Sequence, residues 1–238
     1  GQRDGEIRIR CLIPLALRIS SSRRFIRRTR ACMLPVMQSL SKPLIYLASA
    51  SPRRSALLAQ VGVPHAVRPV AIDENTQDGE MPAAYVKRLA TQKAEALWTR
   101  LPDEERLPVL GADTSVALED EIMGKPRDEE DGVRMLQRLS SKTHRVYTAV
   151  ALRHAGGCDA HVNVSEVSFR KLDPAEIRAY WRTGEPADKA GGYAVQGIAA
   201  LFIERIAGSF SGIMGLPLFE TGELLRTIGW RLPSVAAE

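Results

Sequence analysis

Between residues 44 and 228 the chain switches repeatedly from short apolar runs of β type to stretches with apolar residues at helical spacing. Strands interleaved with helices in this way must share a sheet that has helices packed on its faces, so the alternation constrains the fold more than any other feature. Residues 44–49 form the first run, with Ile45, Tyr46 and Leu47. Ser51-Pro52 follows as a helix start, with proline near the first helical position. The helix predicted over 53–61 carries Leu57, Leu58 and Val61 on one face and stops at Gly62.

The same style continues downstream. Residues 65–70 alternate like a strand, and 82–101 is the longest helical stretch, with Ala83, Val86, Leu89, Ala90, Ala94 and Leu97 at helix spacing. Residues 108–111 and 115–118 read as strands, with a turn at Glu119-Asp120-Glu121. Asp128 opens a helix to residue 139, and the β-type runs 143–153 and 161–170 flank Ala155-Gly156-Gly157 as a hairpin. Asp173-Pro174 caps a helix to residue 183, with Glu176 in capping-box position; 201–206 is a strand and 217–228 a closing helix. The predicted class is α/β, a mixed twisted sheet flanked by helices and pinched into two lobes with a cleft between them. One domain is expected over 42–230, preceded by a basic extension (1–41) and followed by a short tail (231–238).

Charge divides along the same boundary. Of the 238 residues, 45% are hydrophobic and 26% charged, and the net charge is +5. Residues 1–41 hold nine arginines against Asp4 and Glu6, for +7, whereas the rest holds 24 basic against 26 acidic residues, for −2. A polyanion-binding role would therefore fall on the extension and not on the body. The extension shares the Arg-rich, Ser-containing, acid-poor outline of a transit peptide. An internal start at Met33 or Met37 is the simpler expectation. Its apolar stretch, CLIPLALRI, is short and interrupted by Pro14 and Arg18, so it does not span a bilayer.

Cys11, Cys32 and Cys158 form no CxxC pair, and His65, His144, His154 and His161 have no zinc-ligand spacing. The body reads as cytoplasmic, and a metal would have to be held by carboxylates. Ser49-Ala50-Ser51-Pro52-Arg53-Arg54 brings a strand into a helix N-terminus, where backbone N–H groups and the helix dipole favour an anion and two hydroxyls and two guanidinium groups add donors. Gly111-Ala112-Asp113-Thr114 follows an apolar strand, which puts Asp113 at its expected carboxyl end. Gly124-Lys125-Pro126-Arg127 gives Lys125 reach from an extended loop. Glu74, with Asp113, offers oxygen ligands for a hard divalent cation.

Together the runs LASASPRRSALLAQVG, LPVLGADTSV, GKPRD, AGGYAVQG and GLPL, in this order over 44–228, resemble the Maf proteins, nucleoside triphosphate pyrophosphatases of ITPase-like fold. The resemblance implies Asp113 as general base for a water that attacks the α-phosphorus. It implies Ser51, Arg53, Lys93 and Lys125 as triphosphate-binding residues, and Glu74 with Asp113 at a divalent metal, Mg2+ or Mn2+. Arg54, Thr114 and Gln196 match the subgroup that hydrolyses dTTP and UTP. The subgroup preferring 7-methyl-GTP instead carries tryptophan in an SPWR segment and glutamine after the aspartate. A homodimer is also implied, with no membrane and no specific nucleic acid. Two alternatives stand beside this reading: a pyrophosphatase for 7-methyl-GTP or another modified purine, and a nucleotide-binding regulator of septum formation.

Overall fold

The computed structural model describes residues 42–232, so the basic extension and the last six residues of the tail lie outside the described range. Seven strands form one mixed sheet: β1 (Ile45–Leu47), β2 (His65–Val67), β3 (Val109–Leu118), β4 (Glu121–Met123), β5 (Thr143–His154), β6 (Gly157–Phe169) and β7 (Ile203–Ala207). Their order is β2-β1-β3-β5-β6-β7, with β4 paired to β3. The chain passes from β1 to β2 through helix α1 (Pro52–Gln60) and from β2 to β3 through helix α2 (Pro82–Trp98). Such helical crossovers return the chain in the same direction, and β1 is parallel to both neighbours. Direct turns reverse it between β3 and β4 and between β5 and β6, and the β3–β5 and β6–β7 pairs are antiparallel as well.

Several boundaries differ from the sequence reading. β2 stops at Val67, because its partner β1 offers three residues. β6 starts at Gly157 and not at residue 161, because His154 already pairs with Gly157 across the tight Ala155-Gly156 turn. The largest correction concerns β3. It is one ten-residue strand running through Gly111-Ala112-Asp113-Thr114, so Asp113 lies mid-strand and not at a carboxyl end. Continuous pairing with β5, including Asp113 opposite Ala149 and Thr114 opposite Thr148, supplies backbone partners throughout.

The opposite edge of β3 explains how a mid-strand residue still reaches a cleft. There β1 pairs only with Val109 and Leu110, and β4 takes over at Val116. Among the described residues, no strand pairs with 111–115 on that edge. The sheet forks at this gap.

Apolar residues fill three clusters around the fork. Val109, Tyr46, Ala48, Ala149 and Ala151 pack beneath α2, where small side chains let the helix approach closely. On the other face Leu110, Ala112, Ile45 and Leu47 pack with Leu57 and Leu58 of α1 and Leu224 of the closing helix α6 (Leu218–Thr227). Beyond the fork, Val116, Leu118, Val146 and Phe169 meet Leu136 of α3 (Glu129–Leu139) and Ile177 of α4 (Pro174–Trp181). The short α5 (Phe210–Met214) completes the helices.

Candidate active site

The fork opens into a cleft of about 610 Å3 whose walls include Ser51, Arg53, Arg54, Glu74, Lys93, Asp113, Thr114, Lys125 and Gln196. All nine site residues expected from the sequence therefore meet in one cavity. Successive side chains of a strand point to opposite faces. Asp113 accordingly faces α2, and Thr114 faces α1. Both reach the same cavity because no neighbouring strand closes that edge of β3.

On the Asp113 side, a glycine decides the geometry. A Cβ on Gly111 would lie 2.1 Å from the carbonyl oxygen of Ala90 and 2.8 Å from the amide nitrogen of Ala94, so the α2 backbone rests directly on β3. This approach brings Lys93 of α2 over the strand. Its Nζ donates to Asp113 Oδ1 at 2.7 Å and lies 2.6 Å from Glu74 Oε1. Lys93 and Asp113 are both buried. Burial raises the Asp113 carboxyl above its ordinary range, and the Lys93 ammonium opposes that shift. For Glu74 burial also pushes upward, but Lys93, Lys125 and Arg54 together hold it below the usual carboxylate range. The loop bearing Glu74 is tied to α2 by Tyr85 Oη donating to the Glu74 carbonyl at 2.9 Å and Arg88 donating to the Asn75 carbonyl at 3.0 Å.

On the Thr114 side, Arg54 is the hub. Its Nε donates to the Gly215 carbonyl at 2.8 Å, one terminal nitrogen to Ser49 Oγ at 2.9 Å and the other to Thr114 Oγ1 at 3.2 Å. Thr148 Oγ1 donates to the Gly212 carbonyl at 2.8 Å and lies 3.1 Å from Thr114 Oγ1. Ser49, expected among the anion donors, instead serves Arg54, because it ends the buried strand run and points inward. Ser51 sits at the N-cap of α1 with extended backbone, yet its hydroxyl makes no capping bond and lines the cleft. Arg53 follows it on the first turn.

Lys125 is exposed on a loop fastened to the opposite wall by the Gly191 amide donating to the Gly124 carbonyl at 3.0 Å. That wall carries Gln196, an exposed residue at the cleft edge. Tyr85, Asp188, Lys189 and Tyr193 also line the cavity and were not singled out from the sequence. Tyr193 lies within the quoted AGGYAVQG run and Asp188-Lys189 directly precedes it, which was the available signal. Burial and the charges of Asp113 and Glu74 push the Tyr85 phenol up to about 12. Among the described residues no cluster of three His, Cys, Asp or Glu side chains forms a ready metal cage. No helix among them is long and apolar enough to cross a membrane.

The cavity is thus lined with cations on an anion-favouring helix start, with a buried carboxylate facing them. The family model for Maf-like proteins matches residues 44–228. The chain is 52% identical over 195 residues to a protein of Alkalilimnicola ehrlichii named dTTP/UTP pyrophosphatase, covering 79% of this chain and 95% of that protein. Proteins of the same name are 52% identical in Saccharophagus degradans (76% of this chain, 87% of that one) and 50% identical in Aromatoleum aromaticum (79% and 97%). Among solved structures, the Staphylococcus aureus Ham1 protein matches with TM-score 0.38 at 13% identity, covering 52% of this chain and 71% of that one. On the family match and these identities, the chain belongs to the Maf-like protein family.

Proposed function

We propose that this protein is a nucleoside triphosphate pyrophosphatase that hydrolyses dTTP and UTP to the monophosphate and pyrophosphate. The observation that carries the reading is the convergence of Asp113, Lys93 and Glu74 opposite Ser51 and Arg53 in a single cleft. Relatives about half identical over most of their length bear that activity in their names.

Asp113 is the general base. Its oxygen accepts a proton from the attacking water, which forms a bond to the α-phosphorus as the bond to the α–β bridging oxygen breaks and pyrophosphate departs. Transfer of this kind depends mostly on positioning and charge neutralisation. Ser51 and the first-turn N–H groups of α1 bind phosphate oxygens, with Arg53 beside them and Lys125 reaching from the opposite wall. Lys93 holds the Asp113 and Glu74 carboxylates in register and lends positive charge to the site.

Asp113 and Glu74 would also hold a divalent cation. Their oxygens already converge on one cationic point, Lys93 Nζ, and two carboxylates suit Mg2+ or Mn2+, ions that retain waters and take their other ligands from substrate phosphates. Such a cation supplies charge neutralisation on the triphosphate. Base selection falls to Gln196, whose amide can donate and accept against the alternating O2, N3–H and O4 edge of uracil or thymine, and to Arg54 and Thr114, which shape the floor beneath. The catalytic domain spans 42–230, and the enzyme acts as a cytoplasmic homodimer.

The test is pyrophosphate release by residues 37–238 from each common nucleoside triphosphate and 7-methyl-GTP, with Mg2+ or Mn2+ and with a chelator. Turnover of dTTP and UTP that disappears with chelator is the expected result. Folded protein that turns over neither would overturn the reading.

A further inference from the structure

Gln196 stands at the tip of a turn in which the Gly197 amide donates to the Ala194 carbonyl at 3.0 Å. Both flanks of that turn are held by one pair of side chains outside it. On the C-terminal flank, the Ile198 and Ala199 amides donate to the Glu185 carboxylate at 3.0 and 3.3 Å. On the N-terminal flank, the Ala194 amide donates to Tyr180 Oη at 3.3 Å, and that hydroxyl donates to Glu185 Oε1 at 2.7 Å. Tyr180 is buried in α4 with its ring edge-on to Phe202, so the bracket is anchored in the core.

The fit between bracket and turn is close. A Cβ on Gly197 would fall 2.2 Å from Glu185 Oε2, so the carboxylate lies flat against the residue following Gln196. Burial pushes the Glu185 carboxyl up, but the amides of Ile198 and Ala199 and the Tyr180 hydroxyl outweigh it and hold the group ionised. An ionised carboxylate accepts all of these bonds at once, whereas its amide isostere would turn a donor towards a donor.

We propose that Glu185, braced by Tyr180, is a positioning residue for base selection: it sets the height and angle at which the Gln196 amide meets the nucleobase. The inference rests on the reading of Gln196 as the base-contacting residue. Neither Glu185 nor Tyr180 lines the cleft, so neither touches substrate; they act through the turn. Charge-assisted hydrogen bonds hold the C-terminal flank and the Tyr180 hydroxyl, itself bonded to the carboxylate, holds the N-terminal one, which removes the freedom that would let the amide swing to suit other bases.

The experiment compares Glu185→Gln, Tyr180→Phe, Gln196→Ala and the double variant Glu185→Gln/Gln196→Ala in full-length protein. For each, kcat and KM are measured for UTP and for CTP, whose N4 amino group and N3 acceptor reverse the uracil pattern. Thermal melting runs alongside. Glu185→Gln and Tyr180→Phe should each lower the UTP-to-CTP ratio of kcat/KM on the order of fivefold to tenfold, mainly through KM for UTP. In the Gln196→Ala background, Glu185→Gln should leave the ratio unchanged. A ratio that falls in Gln196→Ala but stays at the wild-type value in folded Glu185→Gln and Tyr180→Phe overturns the positioning role. An unchanged ratio in Gln196→Ala overturns the base-reading assignment instead, and the inference with it. Tyr180→Phe keeps the ring packing, so it decides the matter if the Glu185 variant does not fold.

Discussion

Lys93 Nζ lies 2.7 Å from Asp113 Oδ1 and 2.6 Å from Glu74 Oε1, so a single buried ammonium joins two acidic groups of the cleft. Asp113→Asn removes the base and one of the two partners of Lys93. Turnover of dTTP should fall by about 10²- to 10⁴-fold, the range typical of a lost general base. With Lys93 buried against Asp113, a loss of about 1–3 kcal/mol is expected, read from urea denaturation. Near-normal turnover in the variant would move the base to Glu74.

Burial holds the Asp113 carboxyl above its ordinary range, so the base becomes protonated at a higher pH than an exposed aspartate would. The acidic limb of the kcat/KM profile for dTTP should therefore break above the usual aspartate value and fall as pH drops. Asp113→Glu, if active, should shift that limb; an unshifted limb would detach it from this residue.

Gly111→Ala would drive a methyl group into the α2 backbone at Ala90. Neither partner is the flexible end of a side chain, so α2 must move. Destabilisation of about 1–3 kcal/mol is expected, with a loss of turnover because Lys93 leaves Asp113. An alanine variant with wild-type urea midpoint and activity would show that the approach of helix and strand does not set the site.

Arg54→Lys keeps the charge but cannot bond the Gly215 carbonyl, Ser49 and Thr114 at once through a planar fork. A cost of about 2 kcal/mol and a changed ranking of dTTP against other nucleotides are expected. If melting falls while the ranking holds, Arg54 is structural only.

His144 is buried beside Phe169, with Nε2 2.8 Å from Tyr193 Oη, and burial lowers its pKa from 6.5 to about 4. The unfolded chain therefore binds the additional proton between those values, and stability is lost as pH falls from 6.5 towards 4. Between pH 7 and pH 5 this one group should remove about 2 kcal/mol. Urea midpoints at the two pH values should converge in His144→Gln relative to wild type, after allowing for the shared change of other groups.

Much of this was legible without coordinates. Strand and helix periods located nearly every element, since burial of one face imposes the same spacing wherever the chain goes. Asp128 and Asp173 marked their helix starts, and both cap: Asp128 accepts from the Asp131 amide and Asp173 from the Ala175 amide, one residue before the Glu176 of the expected capping box. The fork in the sheet was not legible. Residues 112–115 alternate too little to reveal that one strand runs through them, and pairing along the forked edge depends on β1, far upstream in the chain, as well as on β4 just downstream.

The sequence by itself determined the kinds of groups available and their order: a serine-arginine helix start, a strand aspartate, a helical lysine and an amide-bearing glycine loop. These follow from local preference and side-chain chemistry. Only the tertiary structure decided which of them touch. Gly111 has no side chain to announce its role, yet by letting α2 lie on β3 it joins Lys93 to Asp113 across 20 residues. Glu185 likewise reads as an ordinary loop acid until the fold brings it under the Gln196 turn, because hydrogen bonds between distant segments depend on where the packed core places them.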